Sequence, residues 1–361
     1  MIPTESPSRG RQPIQEQDHD ISPIAMYRFG GFPACSRHAD RVRCATGRGL
    51  YLCRRCLRAT YCRALHKEDR YRGPAWPDTE ETKSTGLLNR LIAEKNRPQA
   101  DVFWSGDPVR AQVLKLKGVA TAYQSPNAAE LPKAYGDPEG YWTGFSARVR
   151  VILYNTTLIA NEHAPKSIFD LANDPTLRGR VCIANPLFGT TSMHAAALFV
   201  ALGDQQARDY FEGLTRNGVK MVSSNGEVRR RVGEGDCAAG IADSDDANEV
   251  VKDKKPVGIV YPDENGIGTL IVPNATVLIA HGPDLENGKR FIDFLLTPET
   301  ERALADSDAA QIPLLPNVPT PPQMRAIGQL HPMHVDYGKL ALKLDDLSRG
   351  YLREWAAKNS R

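Results

Sequence analysis

The sequence predicts an α/β protein with two domains, and three observations support this prediction. Short apolar runs with the length of buried strands alternate with stretches whose apolar residues recur at helical spacing. Several of these apolar runs end in turns that contain Gly, Ser, Thr or Asp and that lead directly into a helical stretch. The chain has 361 residues, which is enough for two domains that each have a core of their own.

The strand–turn–helix pattern is clearest in residues 178–200 (RGRVCIANPLFGTTSMHAAALFV). Residues 181–184 are an apolar run of strand length, and Asn185-Pro186 ends it. The turn at 189–192 (GTTS) is expected to cap a helix that begins near Met193. Such a turn presents backbone N–H groups and hydroxyls that suit an anion or a carboxylate. A capped helix without any ligand is the alternative interpretation.

The composition changes near Trp76. Hydrophobic residues make up 41% and charged residues 25% of the chain, as in an ordinary globular protein, and no apolar run is long enough to predict a membrane-spanning helix. The net charge of +3 is unevenly divided, because residues 1–76 contain 14 Lys and Arg against 7 Asp and Glu. Five of the seven cysteines also lie there. We therefore expect a boundary between two parts at this position.

The cysteines of the N-terminal part allow a zinc site as one interpretation. Cys53, Cys56, Cys62 and His66 supply four soft ligands, and tetrahedral zinc takes such thiolates and imidazoles. Their spacing, C-x2-C-x5-C-x3-H, fits no common zinc finger closely. Basic residues lie among the cysteines, but no recognition helix follows them, so we expect no nucleic-acid partner.

A second interpretation is that part of this segment is out of frame. Residues 1–20 are polar and without periodicity, which predicts disorder, and no export signal can be read there. We back-translated residues 47–75 with free choice of synonymous codons and translated the result one nucleotide later. Among the allowed products is the string VVVYTSVDDAYAQPIAGRFTRKTGIEVRP. This string has the pattern of a strand, a turn, a helix and a second strand. We therefore hypothesise that residues 45–76 are translated out of frame.

After this segment the pattern predicts a helix and then two strands. Residues 82–95 have the apolar spacing of a helix, and residues 101–105 are typical of a buried strand. Asp107 follows that strand, either as the N-cap of the next helix or as a ligand contact. The strand predicted at 141–153 carries Arg148 and Arg150 on one face. An arginine there can hold a carboxylate or phosphate if it faces a cleft, and a solvated strand edge is the alternative.

Three carboxylates follow the small-residue strand predicted at 237–242 (CAAGIA), in the sequence Asp243-Ser244-Asp245-Asp246. Such a cluster is unfavourable unless it caps a helix, binds a cation or lies in water. Two alternatives remain open here. The acidic residues cap a helix over 247–252, or Asp243 and Asp245 bind a ligand or metal ion directly.

The remaining pattern predicts strands and helices but no catalytic motif. Strands are expected at 257–261, 268–272 and 275–280, and helices at 205–217, 288–296, 298–306 and 337–358. Cys182 and Cys237 lie on predicted strands and form either a disulfide or two buried thiols. No nucleophile with an adjacent base, Walker loop or dinucleotide fingerprint is found, so we expect a protein that is not an enzyme.

Several stretches resemble the periplasmic solute-binding proteins of ferric-iron-type ABC transporters. They are DTEETKSTGLLNRLIAEK, PQADVFWSGDP, ARVRVILYN, GRVCIANPLFGTTSMHAAALF, GTLIVPN and FIDFLLTPET. The resemblance is continuous from residue 78 to residue 358. The out-of-frame string VVVYTSVDD is similar to the first strand and ligand loop of that family.

The resemblance implies a type II periplasmic-binding-protein fold, with two α/β lobes, a hinge of crossing strands and a ligand cleft that closes between the lobes. Lobe one is expected to comprise residues 77–152 and 272–361, and lobe two residues 153–271. Residues 1–76 would lie outside the family fold, so lobe one as written would lack its first strand. The implied function is the substrate-binding component of an ABC importer, which delivers its ligand to a permease and its ATPase. A monomer is expected, periplasmic or lipid-anchored outside the cytoplasmic membrane.

In such a fold, strand-end loops from both lobes face one cleft. The expected ligand-binding residues are Glu80, Ser105, Asp107, Arg148, Gly189, Thr190, Thr191, Asp243 and Asp245. Asp243 and Asp245 are the candidate metal ligands.

The ligand itself is less defined by the resemblance. Iron-binding members of the family carry adjacent tyrosines after the strand that corresponds to 237–242, whereas this chain has carboxylates there and no Tyr-Tyr pair anywhere. No resident cofactor is expected. The transported ligand is expected to be ferric iron with a synergistic anion, another small metal or anionic ligand, or a small organic molecule with an amine. The alternative function is an intracellular zinc-binding N-terminal module fused to a ligand-sensing binding-protein domain.

Overall fold

The computed structural model describes residues 42–46, 49–53 and 85–360, and for the first two ranges only the backbone. The strands are β1 (Val42–Thr46), β2 (Gly49–Cys53), β3 (Val102–Ser105), β4 (Ala120–Thr121), β5 (Thr143–Asn155), β6 (Val181–Ala184), β7 (Lys220–Val222), β8 (Ala239–Asp243), β9 (Val257–Val260) and β10 (Ile271–Ile279). The α-helices of these ranges are α1 (Leu87–Ala93), α2 (Pro108–Leu116), α3 (Ile168–Asn173), α4 (Gly189–Leu202), α5 (Asp204–Arg216), α6 (Asn225–Glu234), α7 (Ser244–Lys252), α8 (Leu285–Leu295), α9 (Pro298–Ala305), α10 (Tyr337–Arg349) and α11 (Tyr351–Asn359).

Strand β5 joins two groups of strands. Its first half pairs with β10, which continues to β3 and β4, and its second half pairs with β8 and β9. The full path of the sheet is β2-β1-β3-β10-β5-β8-β6-β7. The first group, with its helices, forms lobe one, and β6–β9 with the second half of β5 form lobe two. The long strands β5 and β10 cross between the lobes, whose predicted boundaries at 152/153 and 271/272 stay a prediction.

Four strands lead directly into helices whose first turns lie close to one another. In lobe two β6 is followed by α4, β7 by α6 and β8 by α7, and in lobe one β3 is followed by α2. β6 lies parallel to both β7 and β8, and every residue of β6 and β8 is buried. Because parallel strands end at the same edge of a sheet, the N-termini of α4, α6 and α7 converge there.

The two C-terminal helices form a further connection between the lobes, in addition to the crossing strands. Helix α10 packs against both α2 of lobe one and α4 of lobe two. At its start the ring of Tyr337 packs edge-on against Trp142, with the ring centroids 5.2 Å apart. Helix α11 lies on lobe two, where Trp355 donates a hydrogen bond of 2.9 Å to the carbonyl oxygen of Phe211. The predicted boundaries assign both helices to lobe one, but α11 packs on lobe two because its aromatic side chains bury against α5.

A buried glutamate of α9 holds the crossing strand β5 through a backbone hydrogen bond. The carboxylate of Glu301 is fully buried and accepts hydrogen bonds from the backbone N–H groups of Ser146 (2.7 Å), Leu314 (3.1 Å) and Leu315 (2.8 Å). Ser146 has a positive φ of 37°, an unusual backbone conformation for a residue other than glycine. On the neighbouring strand β10 the register shifts beside Asn274, so both crossing strands are irregular at the same level.

Most predicted elements are present, with four corrections. Helix α7 begins at Ser244 and not at 247, because the acidic turn after Asp243 is itself its first helical turn. Helix α4 begins at Gly189 and not near Met193, because the turn 189–192 is itself the first helical turn. The separate strands expected at 268–272 and 275–280 form the single strand β10, which runs through Pro273. The predicted helix 337–358 is broken at Gly350, and Leu342, expected on its buried face, is 64% exposed.

The N-terminal segment adds strands to lobe one. β1 pairs with β2 in an antiparallel hairpin and lies parallel to β3. The expectation that lobe one lacks a strand before residue 77 is therefore wrong for residues 42–46. The hypothesis that residues 45–76 are out of frame stays a prediction.

A disulfide joins Cys182 of β6 to Cys237, which precedes β8, with their Cα atoms 5.9 Å apart. Of the two alternatives for these cysteines, the bridge is therefore the one observed. Both residues are fully buried inside lobe two. Among the described residues, no helix has the length and apolar character needed to cross a bilayer.

Candidate ligand-binding site

A cleft of about 450 Å³ lies where the converging strand ends of the two lobes meet. It is lined from lobe one by Phe103, Trp104, Ser105, Gly106, Asp107 and Arg110, from the crossing strand by Arg148, and from lobe two by Gly189, Thr190, Ser224, Asn225, Gly226, Arg229, Asp243, Asp245, Asp246 and Glu249. Charged and polar groups dominate this list, so the cleft suits a small charged ligand better than an apolar one.

The lobe-one wall is the first turn of α2 with the loop before it. Asp107 is the N-cap of α2, and its carboxylate accepts a hydrogen bond of 3.1 Å from the backbone N–H of Arg110. The same carboxylate forms an ion pair with the guanidinium of Arg110, and both side chains are almost fully buried. The cap predicted for Asp107 is therefore confirmed, and its charge is satisfied inside lobe one.

On the lobe-two wall, α4 begins without a side-chain cap. Its N-cap residue is Phe188, which offers no side-chain acceptor to the first N–H groups of the helix. Gly189 and Thr190 of this first turn line the cleft. A helix N-terminus of this kind carries free donors and partial positive charge, which favour an anion.

Beneath this turn, Asp243 is held by a buried network. Its carboxylate accepts hydrogen bonds from Arg150 (2.7 Å), from the hydroxyl of Thr190 (2.6 Å) and from the amide of Asn225 (3.2 Å). Arg150 is fully buried. Burial favours the neutral acid, but Arg150 and Arg148 outweigh it, so the pKa of Asp243 lies below its ordinary value. Asp243 thus fixes Arg150 and the start of α4.

The pKa values of Asp245 and Asp246 are raised, in contrast to that of Asp243. Burial, together with repulsion from Asp243, raises the pKa of Asp245 to about 6 although Arg148 opposes this shift. Burial and the two neighbouring carboxylates raise the pKa of Asp246 well above its ordinary value. Carboxylate oxygens of the three aspartates lie within 4.8 Å of one another. The three carboxylates therefore resist being charged together, and a cation beside them relieves that repulsion.

Arg148 spans the two walls of the cleft. Its Nη2 donates a hydrogen bond of 3.1 Å to the carbonyl oxygen of Gly106, in lobe one. Its Nη1 lies 3.9 Å from a carboxylate oxygen of Asp245 and 4.0 Å from one of Asp243, in lobe two. At the rim, Arg229 forms an ion pair with Glu249.

The structure brings together most of the residues predicted for the site. Those that line the cleft are Ser105, Asp107, Arg148, Gly189, Thr190, Asp243 and Asp245. Thr191 does not line it, because its hydroxyl points to Asn225 at 3.1 Å, behind the first turn of α4. Glu80 lies outside the described residues, as do Cys56, Cys62 and His66, and of Cys53 only the backbone is described.

Several lining residues were not among those predicted for the site. Arg110, Asp246 and Glu249 lie one turn or less beyond predicted positions, and Asp246 was expected only as part of the acidic cluster. Ser224 is the N-cap of α6, and Asn225 and Gly226 belong to the first turn of this helix. This turn follows the same strand–turn–helix pattern as residues 178–200, which is the signal that would have found it.

Comparison with known proteins now identifies the class of protein. The sequence model of the family described as bacterial extracellular solute-binding protein matches residues 97–330. The chain belongs to this family. Among curated relatives of this solute-binding protein, iron uptake protein A1 of Synechocystis sp. (strain PCC 6803) is 25% identical over 259 residues, which cover 69% of the chain and 71% of the relative.

Two further relatives carry different descriptions. A probable ABC transporter periplasmic-binding protein of Sinorhizobium fredii is 27% identical over 274 residues, covering 72% of this solute-binding protein and 74% of the relative. A putative 2-aminoethylphosphonate-binding periplasmic protein of Salmonella typhimurium is 25% identical over 244 residues, which cover 62% of this chain and 69% of the relative.

The fold is shared with solved binding proteins. The crystal structure of iron-bound HitA from Pseudomonas aeruginosa superposes with a TM-score of 0.66 at 23% identity, covering 73% of this chain and 87% of HitA. The type II periplasmic-binding-protein fold is therefore confirmed. The family and fold together make this chain the substrate-binding component of an ABC importer and not an enzyme. The alternative of a zinc-headed intracellular sensor is not supported.

Proposed function

We propose that this solute-binding protein captures a ligand with a cationic centre and an anionic group in the cleft between its lobes. The observation that carries the proposal is that acidic groups and anion-binding groups line the same cleft. Asp245 and Asp246 supply the carboxylates, and Arg148 and the uncapped N-terminus of α4 supply the positive charge. Other charged residues of the site are already paired within the protein, as Asp107–Arg110, Asp243–Arg150 and Arg229–Glu249. Asp245, Asp246 and the N-terminus of α4 are therefore the groups that remain for a ligand.

Ferric iron with a synergistic anion is the first candidate for this ligand. Hard cations prefer carboxylate oxygens, and the oxygens of Asp243, Asp245 and Asp246 lie within 4.8 Å of one another. Because Asp243 already accepts three hydrogen bonds, Asp245 and Asp246 are the better placed metal ligands. The relative from Synechocystis is named an iron uptake protein, which favours iron as the cargo.

A small organic zwitterion is the second candidate. The same carboxylates can hold an ammonium group, while the first turn of α4 and Arg148 hold a phosphonate or carboxylate. Among the described residues that line the cleft there is no tyrosine to supply a phenolate ligand, which favours this candidate. The relative from Salmonella is named for 2-aminoethylphosphonate, a molecule with both groups.

Thermal melts of the full chain with defined probes test the proposal. The probes are ferric citrate, sodium citrate alone and 2-aminoethylphosphonate, each up to millimolar concentration. A ligand present at 100 times its Kd stabilises the protein by about 2.7 kcal/mol, which raises the Tm measurably. Stabilisation by ferric citrate but not by citrate supports iron, and stabilisation by the phosphonate supports the zwitterion.

Variants locate the binding in the cleft. We expect Asp245→Asn and Asp246→Asn to remove the Tm shift, whereas Asp253→Asn, an exposed carboxylate just beyond α7, keeps it. If none of the three probes shifts the Tm, or if the aspartate variants respond like the unmodified protein, the proposed function is wrong.

The description of the family as extracellular supports a setting outside the cytoplasm. We propose a periplasmic or lipid-anchored extracytoplasmic location, and a monomer that docks on a permease and its ATPase. The disulfide between Cys182 and Cys237 supports an oxidising compartment, because such bonds persist outside the reducing cytoplasm. Sedimentation of the purified protein tests the monomer.

A further inference from the structure

The crossing strand β5 contains one extra residue, Ser146, relative to its neighbour β10. In the register of the two strands Phe145 lies opposite Asn274. Ala147 lies opposite Pro273, so Ser146 is the extra residue of a β-bulge. Ser146 is fully buried, and its φ of 37° is unfavourable for a residue other than glycine. Such a conformation persists only where the surrounding structure holds it.

Two side chains hold the backbone of this bulge. The N–H of Ser146 donates a hydrogen bond of 2.7 Å to the carboxylate of Glu301, and its carbonyl oxygen accepts one of 2.6 Å from the side-chain amide of Asn274. The same amide nitrogen donates to the side-chain oxygen of Gln311 at 3.0 Å. Both backbone groups of the bulged residue are therefore paired with side chains, and leaving either of them unpaired in the interior is costly.

Asn274 also reaches the cleft. Its side-chain oxygen accepts a hydrogen bond of 3.3 Å from the indole N–H of Trp104, which lines the cleft on the lobe-one wall. The ring of Trp104 packs against Phe145, the residue before the bulge, with the ring centroids 5.3 Å apart. The almost fully buried amide of Asn274 thus uses its nitrogen for the bulge and its oxygen for the cleft wall.

The bulge lies close to the point where β5 passes from one lobe to the other. β5 pairs with β10 up to Val149, and with β8 of lobe two from Arg150 onwards. A bulge interrupts the ladder and bends its strand, so bending of the crossing strands is expected there. Bending at Ser146 moves its carbonyl oxygen, and the amide of Asn274 then follows or loses this hydrogen bond. Because the same amide holds the indole of Trp104, a displacement at one end is felt at the other.

We propose that Asn274 is a positioning residue that couples Trp104 of the cleft wall to the bulge at Ser146, so that ligand contact with Trp104 and bending of the crossing strands occur together. This inference rests on the cleft being the ligand site, as proposed above, but it is the same for either candidate ligand. The coupling itself is a property of the ligand-free protein. Loss of the indole N–H at the cleft wall loosens the bulge, although neither of the two hydrogen bonds of the bulge involves Trp104.

Amide hydrogen exchange of the full-length protein without ligand tests the coupling. The measured quantity is the exchange rate of Ser146 and Ala147 divided by that of the fully buried strand β6, which reports overall unfolding. Trp104→Phe keeps a ring against Phe145 but removes the indole donor, and we expect it to raise this ratio about fivefold. Asn274→Ala removes the whole link and should raise the ratio about tenfold or more.

The matched control is Trp355→Phe, which also removes an indole donor to an oxygen atom, that of Phe211 on lobe two. It should leave the ratio unchanged. If Trp104→Phe leaves the ratio as it is in the unmodified protein, or if Trp355→Phe raises it equally, the coupling is overturned. Trp104→Phe leaves both hydrogen bonds of the bulge in place, so it decides the matter even if Asn274→Ala does not fold.

Ferric citrate and 2-aminoethylphosphonate, which are probes of the thermal melts, connect the coupling to binding. A probe that raises the Tm should lower the ratio about fivefold in the unmodified protein but less than about twofold in Trp104→Phe. Equal lowering in both proteins overturns the inference and leaves the proposed function standing. If no probe raises the Tm, the proposed function fails, whereas the ligand-free comparison still decides the coupling.

Discussion

Asp243 and Asp245 lie two positions apart and play different physical roles. Asp243 accepts hydrogen bonds from Arg150, Thr190 and Asn225, so its charge is stabilised by the protein itself. Within the described part of the chain, the cationic neighbour of Asp245 is Arg148, whose Nη1 lies 3.9 Å away, and the pKa of Asp245 is raised to about 6. At neutral pH the charged form of Asp245 therefore lowers the stability of the protein, which agrees with the ligand contact that we propose for it.

Asp245→Asn is predicted to stabilise the protein at pH 7.5 but not at pH 4.5. The pKa of Asp245 in the folded protein, about 6, exceeds the unfolded value of about 3.9. Between these values the folded state binds more protons, so stability falls as the pH rises through this window. Removing the charge should raise the free energy of unfolding by about 1–2 kcal/mol at pH 7.5. Urea unfolding at both pH values measures this, with Asp253→Asn as a control that shows no such difference.

At the scale of elements, the strand–turn–helix units were the most predictable part of the fold. The strand predicted at 181–184 is confirmed, and the helix predicted at 247–252 is present but begins earlier, at Ser244, because apolar runs and turn residues are local signals. The site was less predictable than the strands around it. Arg229 and Glu249 line the cleft because α6 and α7 pack against each other. This tertiary contact cannot be predicted from the local sequence of either helix.

The crossing strand depends on a contact that no local pattern reveals. Glu301 is far from β5 in sequence and looks like an ordinary helix residue, yet its buried carboxylate accepts three backbone hydrogen bonds. It thereby fixes Ser146, with its positive φ, next to the segment that contains Leu314 and Leu315. Buried polar groups of this kind are costly to leave unpaired.

We predict that Glu301→Ala destabilises the protein by about 3–5 kcal/mol, because it leaves three buried N–H groups without an acceptor. Glu301→Gln should lose less, since its amide oxygen still accepts. Glu299→Ala, at an exposed position of the same helix, is the control and should change the free energy of unfolding by less than about 0.5 kcal/mol. Chemical denaturation of the three variants decides the matter, and equal effects of Glu301→Ala and Glu299→Ala would contradict the prediction.

At the scale of the whole molecule, the lobes are connected by α10 as well as by β5 and β10. Helix α10 packs on α2 and α4, the two helices whose first turns form opposite walls of the cleft. Lys343 of α10 also forms an ion pair of 2.5 Å with Asp204 at the start of α5. Helix α11 then anchors the connection on lobe two through Tyr351 and Trp355, whose rings pack against Phe199 and Phe211.

Trp355→Ala is predicted to detach α11 from lobe two. It removes a side chain that is 4% exposed and leaves the carbonyl oxygen of Phe211 without its indole donor, at a cost of about 3–5 kcal/mol. We expect a lower Tm and faster amide hydrogen exchange in α11 and α5. The control is Leu342→Ala, which truncates a side chain that is 64% exposed on α10 and should leave both measurements unchanged. Unchanged exchange in α5 of the Trp355 variant would show that α11 is no anchor.

This third connection also limits how the lobes can move. Two adjacent strands by themselves allow one body both to bend and to twist relative to the other. A helix that packs on both bodies away from those strands resists the twist, because twisting shears its contacts with α2 and α4. The remaining freedom is close to a single bending axis. Asp245 and Gly106 then approach along one path, and the ligand that we propose, with two charged poles, would meet both walls in a constant orientation.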